Sequence, residues 1–149
     1  MVFERTPAAW ATHPANYKEV EGMTSRLGEL LFGSTVDWCA CALIFGADVS
    51  RAIVKSSNNH SYAVWAEWLL LAAQQGATIA STEVDWLAWE DPFWEQVDGE
   101  SLRRVQESDP QQVVKRIHMH APVALLMAEP RFRDITVRTQ TATKGFGNL

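Results

Sequence analysis

The chain has 149 residues, 47% of them hydrophobic, enough for one ordinary domain that buries roughly two thirds of the surface its unfolded form exposes. Thirteen basic against 18 acidic residues leave a net charge of −5, too small to make nucleic acid or an anionic membrane the natural partner. The opening "MVFERTPAAW" has charges where a secretory signal carries its apolar stretch, and the longest charge-free run, Trp68 to Thr82, is 15 residues, short of the ~20 needed to span a bilayer, so the expected setting is the cytosol.

Helix-start signals recur along the chain. "TPAAW" and "THPAN" each set a threonine shortly before a proline, a residue tolerated in a first helical turn because its missing N–H would be unpaired there anyway. After the second, Val20, Met23, Leu27, Leu30 and Leu31 recur at three-and-four spacing, and Gly33 supplies a stop, which predicts a helix over 15–32 with those residues as its buried stripe. Ser34 and Asp37 then form an acidic variant of a capping box before an uncharged run from Trp38 to Ala47. This predicts a central helix over 36–54, with Gly46 permitting a close crossing or ending one helix before Asp48 caps another. "NNHSYAVWAEWLLLAAQQG" has the same grammar and predicts a buried helix over 60–75, in which only Glu67 is charged.

Beyond Gly76 the elements shorten. Ser81 or Thr82 can cap a helix through Glu90, Asp91-Pro92 opens another, Asp98-Gly99 marks a turn, and "ESLRRVQES" reads as a short helix. Asp109-Pro110 starts a helix through "QQVVKRIHMHA", which Pro122 kinks or restarts, and Pro130 ends the helical region. The tail from 130 to 149, with Ile135, Val137 and many threonines, favours extended structure; it pairs with the β-tolerant "ATIA" at 77–80 or runs as an ordered coil. The expected fold is a single all-α domain over 1–149, a bundle of seven to nine helices, several short, with that tail extended or forming a short strand.

Most chemistries fit poorly. His118 and His120, two apart on a helix, point about 200° around the axis from each other and cannot aim at one ion. His120 instead shares an arc with Val113, Ile117 and Ala121, which makes it a core or boundary residue. Cys39 and Cys41 diverge likewise in an apolar stretch that quiets a thiol, and His60 is the nearest base in sequence. No glycine-rich phosphate loop follows a strand, so no cofactor is expected. The basic tail (Arg131, Arg133, Arg138, Lys144) offers only Phe132 and Phe146 as stacking partners and reads as a solvated terminus.

One segment stands apart. Residues 83–109 hold nine carboxylates against two arginines, and "EVDWLAWEDPFWEQV" at 83–97 laces three of the seven tryptophans among them. As one helix over 82–97, Trp86, Trp89, Phe93 and Val97 would form a core stripe with Asp91 and Glu95 on the solvated side. Pro92 opposes this, since a proline inside a helix costs about 3 kcal/mol. Two short helices meeting at Asp91-Pro92 would leave Trp86 and Leu87 packed inward and expose a partner-binding face of Trp89, Glu90, Asp91, Phe93, Trp94, Glu95 and Asp98.

Exposed aromatics ringed by acids suit a basic protein partner, and the expected function is a small soluble binder of the inhibitor or immunity type. Such a partner's positive groove would ordinarily serve nucleic acid, as in a toxin or a bacterial defence enzyme. The competing readings are a small helical enzyme with a tryptophan-lined pocket and Glu67 or Asp85 as base, Glu67 reading equally as a partnered core carboxylate, and a phage or bacterial assembly subunit.

Overall fold

The computed structural model describes residues 1–39, 42–88 and 107–142. Among them are three strands, β1 (Val2–Arg5), β2 (Ile79–Val84) and β3 (Thr139–Thr141). Five α-helices accompany them: α1 (Pro7–Thr12), α2 (Ala15–Phe32), α3 (Ala47–Ser56), α4 (Val64–Gln74) and α5 (Pro110–Met127). The strands form one parallel sheet in the order β1-β2-β3, with Val2 opposite Ser81 and Ile79 opposite Thr139. The all-α expectation is therefore wrong: the fold is mixed α/β. The extended tail does pair with the 77–80 region, through Ile79 and Ala80.

The errors have local causes. β1 is four residues long, and its partner lies far away in sequence, so no periodicity announces it. The expected helix over 36–54 begins only at Ala47, after Gly46. Upstream, the Ser34 hydroxyl accepts the Val36 N–H at 3.3 Å and the Asp37 carboxylate accepts the Cys39 N–H at 3.0 Å. Such short side-chain-to-backbone bonds satisfy groups that a helix would otherwise use, and Val36 and Trp38 are weak helix formers. The chain then runs along the free edge of β1, where Phe3 donates to the Ala42 carbonyl and Ile44 to that of Met1. The helix expected to start at Ser81 or Thr82 is also absent, since 79–84 is the central strand and Asp85–Ala88 a turn.

Capping logic fares better. Thr6 accepts the Ala9 N–H at the head of α1, and Asp109 accepts that of Gln111 at the head of α5, each with proline in the first turn. Gly33 closes α2 at φ +68°, a left-handed conformation in which a side chain would be strained. Pro122 neither restarts nor ends α5, which runs through it to Met127. It removes the N–H that would bond the His118 carbonyl, but Val123, Leu126 and Met127 just beyond it are almost wholly buried, and their packing carries the helix through.

The core gathers Val2 and Ile79 from the sheet, Phe32 from α2, Leu69 and Leu70 from α4, and Val123 and Leu126 from α5, closed by Phe132 and Val137. Trp38 lies beneath α2, its ring 5.3 Å from Phe32. Gly28 makes this approach possible, because a Cβ there would overlap the Trp38 ring at Nε1. Alanine gains about 1 kcal/mol of helix propensity over glycine, whereas overpacking a fixed core typically costs 1–3 kcal/mol, and this overlap is far inside contact distance. Gly28→Ala should therefore lower unfolding free energy by about 2 kcal/mol in urea titrations, and Trp38→Leu in the same chain should make the two losses less than additive.

Candidate functional site

The helix over 15–32 forms as expected, but its inward face is rotated, and of the anticipated stripe only Leu27 packs against the core, with Val20 half-buried. Glu21, Thr24, Gly28 and Phe32 face inward, while Met23 and Leu30 of the anticipated apolar stripe are 73% and 68% exposed. α5 repeats the pattern: Arg116 and His120 are buried, with Val123, Leu126 and Met127, and Val114, Ile117 and Leu125 face out. His120 is thus a core residue, but on a different arc from Ile117. α2 packs along α5, and the polar residues of both meet in a buried cluster.

Arg5 at the end of β1 is the hub. Its Nη1 donates to Glu21 at 2.7 Å, and its Nε and Nη2 both donate to Asp37 Oδ2, at 2.9 and 2.6 Å. The Trp10 ring covers the guanidinium, whose Cζ lies 3.9 Å from the ring centroid. Arg116 stands 3.6 Å from the other Glu21 oxygen and stacks on Tyr17. The described cluster thus sets two guanidinium groups around two carboxylates, all largely out of water, an arrangement in which removing one member strands a charge.

His120 lies at the inner end. Its Nδ1 is 3.3 Å from the Thr24 hydroxyl and 3.6 Å from the Cys39 thiol, and Tyr62 packs edge-on against its ring. Its Nε2 has no hydrogen-bond partner among the described residues and sits 3.8 Å from Glu21. Cysteine, histidine and glutamate in line look like a nucleophile with its base and orienter, but the electrostatics oppose that chemistry. Burial pushes the Cys39 thiol far up, with Glu21 and Asp37 adding to the effect. Burial, then the positive charge of Arg116 and Arg5, lowers His120 to about 4. A neutral thiol beside a neutral imidazole is the stable state, which makes the group structural. The pairing weighed from sequence, Cys39 with His60, does not form: His60 is exposed, and His120 holds the place beside Cys39.

Glu67, the candidate base, is wholly buried and saturated with donors. Ser57 donates at 2.6 Å, Arg131 at 2.7 Å and the Asn59 N–H at 3.2 Å. Burial would raise this carboxyl, but those hydrogen bonds outweigh it and hold Glu67 below its ordinary value. A carboxylate so committed is an anchor between α4 and the segment after α5 rather than a proton acceptor for substrate. Phe132, weighed as a stacking ring, is fully buried in the core.

The seven residues proposed from sequence as a binding face, Trp89, Glu90, Asp91, Phe93, Trp94, Glu95 and Asp98, lie outside the described residues, as do Cys41, Lys144 and Phe146. The approach to that segment is described, and it corrects one expectation: Trp86 is not packed inward but 53% exposed, one side of its ring against Phe3 at 5.6 Å. Glu83 and Asp85 beside it are exposed as well, and Asp85 accepts the Thr6 hydroxyl at 2.6 Å. No family model matches the chain, and no curated protein or solved structure shows significant similarity to it. Among the described residues no helix is long and apolar enough to cross a membrane, and no group of three or more ligating side chains could hold a metal ion.

The buried cluster was invisible in the sequence because the polar and apolar residues of α2 repeat with equal regularity; the only hint was a histidine and an arginine four apart on α5. It has a measurable titration. A histidine whose folded pKa is depressed stabilises fully above its unfolded value and loses that contribution as pH falls toward the folded value. Between about pH 6.5 and 4 the unfolded chain binds the extra proton at His120. Glu21, whose carboxyl is raised by burial against the pull of Arg5, contributes with the opposite sign, so the comparison should be with His120→Gln, which retains Glu21. The stability advantage of wild type over that variant should shrink as pH is lowered from 7 to 5, by at most roughly 1.4 kcal/mol per unit, in urea titrations at each pH. A constant difference would contradict a neutral His120.

Proposed function

We propose that this protein works by binding a basic protein partner through the corner that begins at the end of β2 and continues into the acidic, tryptophan-rich segment. The observation that carries the reading is Trp86, half exposed just after the exposed Glu83 and Asp85. A large ring left half in water near exposed acids fits a contact surface, where the aromatic supplies rigid area and the charges steer and select. The wider acidic run, with a local charge of −7 over 83–109, extends the same character. Trp89, Glu90, Asp91, Phe93, Trp94, Glu95 and Asp98 complete the proposed face, and inhibition of a nucleic-acid-handling enzyme, in the manner of an immunity protein, is the role that this charge suits. The enzyme reading loses its best candidate, because Glu67 is locked by its donors.

Co-purification from the native host, using the intact chain as bait, tests the proposal. A captured basic protein should bind more slowly as salt rises. Trp86→Ala, Trp89→Ala and Trp94→Ala should each weaken it about tenfold or more, and Glu83→Lys with Asp85→Lys should abolish capture. All variants should keep the wild-type unfolding midpoint to within about 1 kcal/mol of stability. Variants that unfold, or a captured partner indifferent to all of these changes, would refute the proposed face.

A further inference from the structure

A groove of about 560 Å³ runs between α5 and the approach to α4; it backs onto the buried cluster through Tyr62, and Trp86 is not among the residues that line it. Its apolar wall is Val114, Met119 and Pro122 from α5, with Tyr62 across from them. Its polar groups are Lys115 and His118, one helical turn apart, with Gln111 and the exposed Ser61 at the rim. No carboxylate lines it among the described residues, in a chain that carries 18 of them.

Tyr62 closes the inner side and is fixed from behind by its edge-on contact with His120, 5.0 Å between centroids. That backing holds the apolar floor in shape without a ligand. A concave site of a few hundred Å³, mostly apolar, with a few convergent polar groups is the usual form of a small-molecule pocket. Here those groups are a fixed positive charge with hydrogen-bonding neighbours, which selects an anion over a cation and a planar acceptor over a donor.

We propose that this groove binds a small amphipathic carboxylate, its head against Lys115 and His118 and its hydrocarbon body along Val114, Met119, Pro122 and Tyr62. The site is independent of the proposed partner-binding corner, and either stands if the other fails.

The test is an NMR titration of the whole chain with sodium octanoate, alongside octylammonium of equal chain length. Octanoate should shift the Met119 methyl and His118 ring signals saturably, with a Kd of about 1 mM, the strength expected of so few atoms on an open site. Lys115→Glu should weaken binding by about tenfold or more, and Val114→Trp should block the groove with unchanged urea unfolding, since Val114 is already 45% exposed. Octylammonium should produce no saturable shift. The proposal is overturned if octanoate leaves Met119 and His118 unmoved, if octylammonium binds as well, or if Lys115→Glu binds like wild type. Equal shifts at the exposed Met23 would show general adsorption to apolar surface and would overturn it too.

Discussion

Arg5 draws four parts of the chain to one point. It ends β1, donates to Glu21 on α2 and Asp37 in the irregular segment beyond it, and lies under Trp10 of α1. Asp37 is pinned in turn, its N–H donating to Glu4 at 3.0 Å and its second oxygen accepting the Cys39 N–H. A buried ion pair adds little net stability over well-packed apolar residues, but breaking one typically costs 3–5 kcal/mol, because the remaining charge has neither water nor partner. That asymmetry gives a four-residue edge strand a fixed place: if β1 shifts, Asp37 loses the arginine it is paired with and Glu21 is left with Arg116 at 3.6 Å.

The orientation of the two long helices follows from the same cluster. Glu21 and Arg116 must reach the hub, so α2 and α5 turn these residues and His120 inward and leave Met23, Leu30, Ile117 and Leu125 outside. The apolar load of the interior is carried instead by α4, whose Leu69 to Ala72 are buried, and by Trp38, admitted under Gly28. This packing buries Cys39 and His120, which favours the neutral form of both the thiol and the imidazole.

Three helix ends were legible in the sequence because they rest on single residues with local chemistry. Thr6, Gly33 and Asp109 each do what a side chain or a left-handed glycine does anywhere. Strands and faces were not, because they depend on partners distant in sequence. "VFER" becomes a strand only when Ser81 to Val84 lie beside it, and the apolar stripe of α2 misplaces its inward face because Glu21 finds charge partners in β1 and α5 that periodicity does not reveal. The uncharged run from Trp38 to Ala47 and the cap-like Ser34 and Asp37 together suggest a helix, whereas Ser34 and Asp37 bond their neighbours' backbone and oppose one. For the proposed binding face, the charge and the rings are read from the sequence, and among the described residues Trp86, just before it, is half exposed.

The central claim is that the Arg5 hub holds the sheet edge, the irregular segment and α2 together. Urea unfolding of Arg5→Met, read beside hydrogen exchange at the Asp37 and Cys39 amides, tests it most directly. A loss of about 3 kcal/mol or more, with both amides losing protection, is the result this account predicts. A variant within about 1 kcal/mol of wild type, with those amides still protected, would contradict it.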